Sequence, residues 1–358
     1  MMPNAGFWHG KRVVVTGHTG FKGSWLCAWL EHLGARTCGI ALPPDTEPSL
    51  CTLTHIEQRV ETCHVDIRDA PGLQETIANF GPEIVFHLAA QSLVRRSYRE
   101  PAETFATNVM GTLNVLEAVR KTPSVRAVVV VTSDKCYENN ESSRPYRESD
   151  TLGGADPYSA SKACAELATA AWRQSYFSND GRVMLASARA GNVIGGGDWA
   201  PDRLIPDCMA ALVAGRPIEI RNPHATRPWQ HVLDPLNGYL ILAEHLYSGD
   251  ATFARAWNFG PTTDHLPSVA EIVEAIIARW GSPARWIASE APAVHEADRL
   301  AIDASMARAA LGWAPRLPLT EALSWTIDWY RSFHAGEPAE VLVDTQIERY
   351  EALSKGLE

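Results

Sequence analysis

The chain has 358 residues, 46% hydrophobic and 21% charged, with 42 acidic against 32 basic residues and a formal charge of -10. That length supports one large domain or two modest ones with an ample core, and the acidic balance excludes a general polyanion-binding surface. A nucleotide ligand must therefore be held by local arginines or by backbone N–H groups. The seven cysteines are odd in number, scattered and never spaced CxxC. That pattern argues for a reduced, cytoplasmic protein without a disulfide framework or zinc knuckle. The twelve histidines show no ligand spacing, so no metal is expected. No apolar run approaches the ~20 residues of a membrane span.

In chain order, strands are expected at 12–16, 36–42, 60–66, 84–89, 127–133 and 183–189. Amphipathic helical patterns lie between most of them, at 22–33, 69–79, 101–121 and 157–176. The run AVVVV from Ala127 is apolar on both faces, as suits a strand inside a parallel sheet. The alternation predicts an α/β fold with a doubly wound parallel sheet of the Rossmann type. After about residue 195 the rhythm breaks at the Gly/Pro-rich GGGDWAPDRLIP. A helix near 202–214, a short strand within 217–221 and a helix at 235–247 follow. A strand at 256–259 is expected to return to the main sheet, with helices at 268–280, 303–311 and 319–334 beyond it. The expected organisation is a dinucleotide-binding domain over 8–195, with 230–260 returning to it. A smaller α/β lobe would take 196–229 and 261–350.

The stretch VVVTGHTGFKGSWL places Gly17, Gly20 and Gly23 at a strand end, a turn and a helix start. Bare glycines there permit a tight turn, close approach of a pyrophosphate and packing of helix on sheet. The helix N-terminus then offers its N–H groups and positive dipole end to the phosphates. The spacing is GxxGxxG, and with these flanks it predicts a dinucleotide site that includes Thr19, Phe21 and Lys22. Asp45, beyond the second strand, is placed either to hold a ribose hydroxyl or to cap a turn after Pro43–Pro44. No arginine follows that strand to favour a 2′-phosphate, so NAD is expected. Asp66, followed by Ile67, is placed to meet the adenine edge or to cap the next helix.

A second constellation lies in DPYSASKACAE, where Tyr158 and Lys162 stand four residues apart. Asp156 suits an N-cap and Pro157 a first helical position, so both side chains share one helix face. An ammonium beside a phenol favours phenolate and should lower the Tyr158 pKa from ~10. Such a phenolate can take a proton from an alcohol as hydride leaves the carbinol carbon.

With the glycine turn, these residues and the segments HLAAQS, TNVMGT, VTSDKCYE, ARAGNVIGGGDW and RPWQHVLD resemble the extended short-chain dehydrogenase/reductase family. Within it the chain resembles the sugar-nucleotide 4,6-dehydratases, and the branch acting on CDP-glucose, on the strength of TSDK followed by CYE, with GFKG and RPWQHVLD. The resemblance implies oxidation at carbon 4 by NAD, elimination of water across carbons 5 and 6, and return of hydride to carbon 6. Tyr158 and Lys162 would serve the oxidation, Ser133 would hold the 4-oxygen, and Asp134 would protonate the leaving hydroxyl. Lys135 stands where related dehydratases place a glutamate base. It must be neutral to act as a base, or else stabilise the enolate.

The resemblance also carries Leu88, Ala89, Gln91 and Thr107 onto the cofactor ribose and nicotinamide, with Asn108 either beside them or bonding across its helix. Asn192, Arg203 and Arg227 fall to the sugar diphosphate, whose geometry suits a guanidinium fork. Trp229 either stacks on a base or fills the interface between the lobes, with packing the favoured role. The resemblance implies a homodimer built on 101–121 and 157–176, in deoxysugar and lipopolysaccharide O-antigen biosynthesis. A 4-epimerase or simple dehydrogenase would share Tyr158 and Lys162 but has no need of Asp134 beside the serine. A non-catalytic NAD-sensing protein is expected to lack the tyrosine or the lysine.

Overall fold

Short β-branched and apolar runs form the centre of the molecule. The computed structural model describes residues 1–141, 144–178, 181–262, 266–281, 283–289 and 299–353. The first strands are β1 (Arg12–Thr16), β2 (Arg36–Ala41), β3 (Glu61–His64), β4 (Ile84–His87), β5 (Ala127–Val131) and β6 (Met184–Ala190). After them come β7 (Val193–Ile194), β8 (Ile218–Ile220), β9 (Gln230–His231), β10 (Ala256–Phe259) and β11 (Trp286–Ala288). The main sheet runs β10-β6-β5-β4-β1-β2-β3, with every pair parallel. β7 pairs with β9 and β8 with β11, also in parallel. The winding reverses between β1 and β4, which opens a crevice at the strands' carboxyl ends.

Period-two alternation sorts the core. Val13, Val15, Phe86 and Val129 face a cluster containing Trp25, Trp29 and Leu240. Val14, Val85, Val128 and Val130 face Leu73, Ile77, Val115 and Val119 on the other side. β5 is buried along its whole length, as its unbroken apolar run predicts. β10 adds to the sheet beside β6, as expected for 256–259.

Helix signals in the sequence act where they are strong. Asp69 accepts from Gly72 N to start Ala70–Phe80, Pro71 fits its first turn, and Gly81 ends it at φ 63°. The pattern at 101–121 is not one α-helix. It is Pro101–Phe105, a π-helical turn at Ala106–Met110, and Gly111–Arg120. The pattern at 157–176 likewise becomes Pro157–Trp172 followed by a π-helical turn at Arg173–Phe177. Strand β5 also stops before Thr132, because Asp134–Cys136 turn in a 3-10 helix capped by Ser133. A closing helix, Ala339–Ala352, was not expected. It buries Leu342, Val343, Ile347 and Tyr350, and its Glu351 accepts from Trp29 Nε1 at 2.8 Å.

One buried ion pair joins several of these elements. Glu166, on the helix Pro157–Trp172, meets Arg189 of β6 at 2.7 Å, with side chains only 3% and 4% exposed. Glu166 also accepts from Thr132 Oγ1 at 2.5 Å and Ser187 Oγ at 2.8 Å. Arg189 donates on to Tyr137 Oη at 2.8 Å, which in turn donates to Asn258 Oδ1 on β10 at 2.6 Å. Burial pushes the Glu166 carboxyl up, but Arg189 and the two hydroxyls outweigh it and hold the carboxyl below its usual value.

Removing one partner strands a buried charge. Glu166→Gln is expected to cost about 3–5 kcal/mol in urea unfolding, with much of it recovered in Glu166→Leu/Arg189→Met. The depressed carboxyl also fixes the pH sign. Its contribution is complete above the ordinary glutamate pKa and lost as pH falls toward the folded value, so Glu166→Gln should show a weaker acid limb of stability. A Glu166→Gln variant as stable as the parent would show that the pair holds nothing together.

Candidate active site

At the switch point a cavity of about 620 Å³ runs along the carboxyl ends of the strands, and all the residues assigned above to catalysis, cofactor and substrate except Asn108 line it. At one end β1 runs into the glycine turn. Gly17 has φ 78°, and a Cβ there would lie 2.7 Å from Ala89 N. A Cβ on Gly23 would lie 2.1 Å from Gly17 O. Gly20 caps the helix Phe21–His32 without any side-chain bond, so the first-turn N–H groups and the dipole face an anion site. Thr19 closes the turn by donating to Leu42 O at 2.9 Å. A cradle this bare, at a helix N-terminus, fits a dinucleotide's diphosphate.

Beyond the turn, Asp45 stands exposed on the rim and Asp66 lies deeper. The alternative role for Asp66 falls away, since Asp69 caps the following helix. Arg68 engages the Asp66 carboxylate at 2.6 Å and holds its pKa down. Ile67 packs where a Cβ on Gly111 would have to sit. Leu88 N and Ala89 N both donate to Thr16 Oγ1 at 3.2 Å. The Gln91 amide ties its loop to the helix Pro101–Phe105, accepting from Leu93 N and donating to Thr104 Oγ1. Asn108 bonds outside its helix. It accepts from Gln91 N at 2.8 Å and donates to Gln91 O and Ser161 Oγ, each at 2.9 Å. Its π-helical turn thus fastens the loop after β4 to the helix of Tyr158, and Thr107 lines the cavity beside it.

The middle of the cavity holds the acid–base groups. Asp156 accepts from Ser159 N at 3.0 Å and starts the helix that presents Tyr158 and Lys162. Ser133 caps the Asp134–Cys136 turn, accepting from Lys135 N at 3.2 Å and donating to Asp134 Oδ1 at 3.1 Å. Its side chain is also a hydrogen-bond partner of the Tyr158 phenol. Lys162 Nζ reaches Val131 O at 3.5 Å. Lys135 is half-buried at the wall.

The expected lowering of Tyr158 is not what this pocket does. Tyr158 is 7% exposed, and burial pushes its phenol up to about 12, against a hydrogen bond from Ser133. Burial pushes Lys162 down to about 8, resisted by the charge of Glu166 one turn along. The Lys162 ammonium donates to Val131 O and feels the charge of Glu166. Lys22 is pushed down to about 7, first by burial and then by Arg203 and Lys162. Asp134 is 2% exposed, and burial raises its carboxyl above the usual range despite Lys135 and Ser133. Its Oδ2 has no hydrogen-bond partner among the described residues. Room for that carboxylate comes from Gly191, where a Cβ would stand 2.6 Å from Oδ2.

At the far end, Asn192 lines the cavity beyond β6. Arg203 pairs with Asp198 at 2.9 Å and donates to Ser92 Oγ at 2.8 Å. Arg227 is buried, donates to Thr226 O at 2.9 Å and pulls down the Asp134 carboxyl. Sequence reasoning missed Arg95 and Arg221, which converge on Asp202 at 3.4 and 3.0 Å. The runs VRRSYR and IRN were the available signal, but only tertiary folding brings them together. Trp229 packs against the large core cluster and also lines the cavity.

The family described as GDP-mannose 4,6 dehydratase matches residues 14–326. The CDP-glucose 4,6-dehydratase of Salmonella typhimurium is 48% identical over 353 residues, spanning 98% of each chain. Among solved structures, the UDP-glucose 4-epimerase of Thermotoga maritima superposes with TM-score 0.79 at 21% identity, covering 90% of this chain and 99% of that one. The dTDP-glucose 4,6-dehydratase of Bacillus anthracis, solved with NAD, gives TM-score 0.76 at 22% identity, covering 91% and 98%. These two share the fold. The match across most of the sequence, with the full-length relative beside it, establishes that the chain belongs to the GDP-mannose 4,6-dehydratase family.

Proposed function

We propose that this enzyme dehydrates CDP-D-glucose to CDP-4-keto-6-deoxy-D-glucose, with NAD as a recycled cofactor. The observation that carries this reading is the meeting of Ser133, Asp134 and Lys135 with Tyr158 and Lys162 in one cavity, opposite the glycine cradle. The full-length CDP-glucose 4,6-dehydratase relative supports the nucleotide and the sugar. Gly17, Gly20 and the helix N-terminus would hold NAD, which would supply a reversible hydride acceptor.

The protein's own groups handle the protons. Tyr158 takes the proton of the 4-hydroxyl, with Ser133 holding that oxygen. A phenol near 12 makes its anion about 3 kcal/mol harder to form than in water, so activation needs a positive charge beside it, which the nicotinamide ring of bound NAD would supply. Asp134 keeps its proton at higher pH than a surface aspartate because burial disfavours its anion, which suits a donor to the departing 6-hydroxyl. Lys135, in the same wall, serves the carbon-5 step, as the base when its amine is neutral or by stabilising the enolate when it is charged. Arg203 and Arg227 hold the sugar diphosphate, and Asn192 orients it. The catalytic cleft then lies between a cofactor lobe, 8–195 with 230–260, and a substrate lobe formed by 196–229 and 261–350. The UDP-glucose 4-epimerase neighbour makes epimerisation the second reading, but that reaction gives no task to a buried Asp134 whose carboxyl is raised by burial.

The functional unit is proposed to be a homodimer. Tyr98, Phe105, Met110, Leu167 and Tyr176 leave large apolar side chains 36–58% exposed on the segments around 94–110 and 157–177. Two copies can cover these faces as a four-helix interface. No helix among the described residues is long and apolar enough to cross a membrane, and all seven cysteines are unbridged.

Purified protein with NAD is expected to remove one water from CDP-glucose, read by mass spectrometry, in preference to the dTDP-, GDP- and UDP-linked sugars. Tyr158→Phe should lower that turnover by about 10²–10⁴-fold while leaving NAD binding measurable. Conversion without mass change would point to epimerisation. In light scattering, Leu167→Glu should shift a dimer toward monomer, and a monomeric parent would remove the dimer proposal.

A further inference from the structure

The cysteines look scattered along the chain, but strand pairing brings two of them together. β2 and β3 pair in parallel with Cys38 opposite Glu61 and Ile40 opposite Cys63. Alternate residues of a strand share a face, so Cys38, Glu61 and Cys63 project from the same side of the sheet. Their ligand atoms all lie within 4.8 Å of one another. Cys38 is buried, Cys63 half-buried and Glu61 exposed, which gives the cluster a closed floor and an open mouth. β3 is the edge strand of the main sheet, so no further strand of it covers that mouth.

We propose that Cys38, Cys63 and Glu61 form a binding site for a thiophilic divalent cation, with zinc as the natural candidate. Two thiolates and a carboxylate suit zinc or cadmium and do not suit magnesium or calcium, whose ligands are all oxygen. Tetrahedral zinc with sulfur at ~2.3 Å and oxygen at ~2.1 Å sets its ligand atoms about 3.6–3.8 Å apart. The present spacing, within 4.8 Å, is at most about 1 Å wider than that. Water at the open mouth supplies the fourth ligand. Binding releases the two thiol protons to solvent and involves no redox step. The ion would clip the edge strand β3 to β2, a few residues before Ala41, Leu42, Val65 and Asp66 line the cavity. Its role is to stiffen that edge, well away from the acid–base groups.

The test uses the full-length, reduced, metal-free protein with cadmium as the spectroscopic probe and zinc as the competitor. Thiolate-to-cadmium charge-transfer absorbance should rise and saturate at one equivalent per chain, and zinc should reverse it. Cys63→Ser should lose the band while keeping the parent's metal-free circular dichroism. Glu61→Gln, on the surface, should retain the band but bind at least tenfold more weakly. Absence of a saturable one-equivalent band in the parent would overturn the proposal. So would a band unchanged in both variants, because other thiols would then be the ligands.

Discussion

The buried contact between Glu166 and Arg189 organises the catalytic half of this molecule. A carboxylate and a guanidinium out of water are tolerable only when each finds several partners, and here the partners come from different elements. Through Thr132 the pair holds the exit of β5, and Ser133, Asp134 and Lys135 follow directly. Through Tyr137 and Asn258 it fastens the turn after β5 to the far edge of the sheet. Glu166 is one turn beyond Lys162 on the helix that presents Tyr158, so that helix is fixed against β6 by the same contact. The acid–base groups sit on separate segments, and this network keeps them in register.

Burial dominates the electrostatics of the cleft. It pushes the Tyr158 phenol and the Asp134 carboxyl up, and the Lys162 and Lys22 ammoniums down. Each group is thereby moved toward its neutral form. A reaction that shuttles protons and forms a keto sugar without net charge transfer benefits from groups that change protonation at small cost. Charge is concentrated at the ends of the cleft instead. The helix N-terminus after Gly20 marks one end, and the arginines paired with Asp198 and Asp202 mark the other.

Much of this was legible in the residues because it rests on local rules. The parallel sheet followed from β-branched runs alternating with amphipathic patterns, and the return of β10 from a short strand pattern at 256–259. The glycine turn was readable because a bare backbone beside a helix start has few other uses. Features created by tertiary contact were not readable. The π-helical turn at Ala106–Met110 exists where Asn108 reaches across to Gln91 and Ser161, and no periodicity marks it. Nothing in the sequence ties Gly191 to Asp134, whose carboxylate lies where a Cβ would stand. The upward shift of Tyr158 was not readable because it comes from burial of the phenol, which helix spacing does not show. Asp66 and Asp69 stand three residues apart, and only the structure shows that Asp69 takes the cap. The final helix had its signal in the spacing of Leu342, Val343, Ile347 and Tyr350, which went unused.

The central claim is that one cleft oxidises carbon 4, removes water and reduces carbon 6 with the same cofactor. Following CDP-glucose labelled with deuterium at carbon 4 tests it most directly, with product read by mass spectrometry and NMR. The account predicts a product lighter by one water that carries the deuterium at carbon 6. Deuterium retained at carbon 4 without loss of water, or released into a free reduced cofactor, would contradict it.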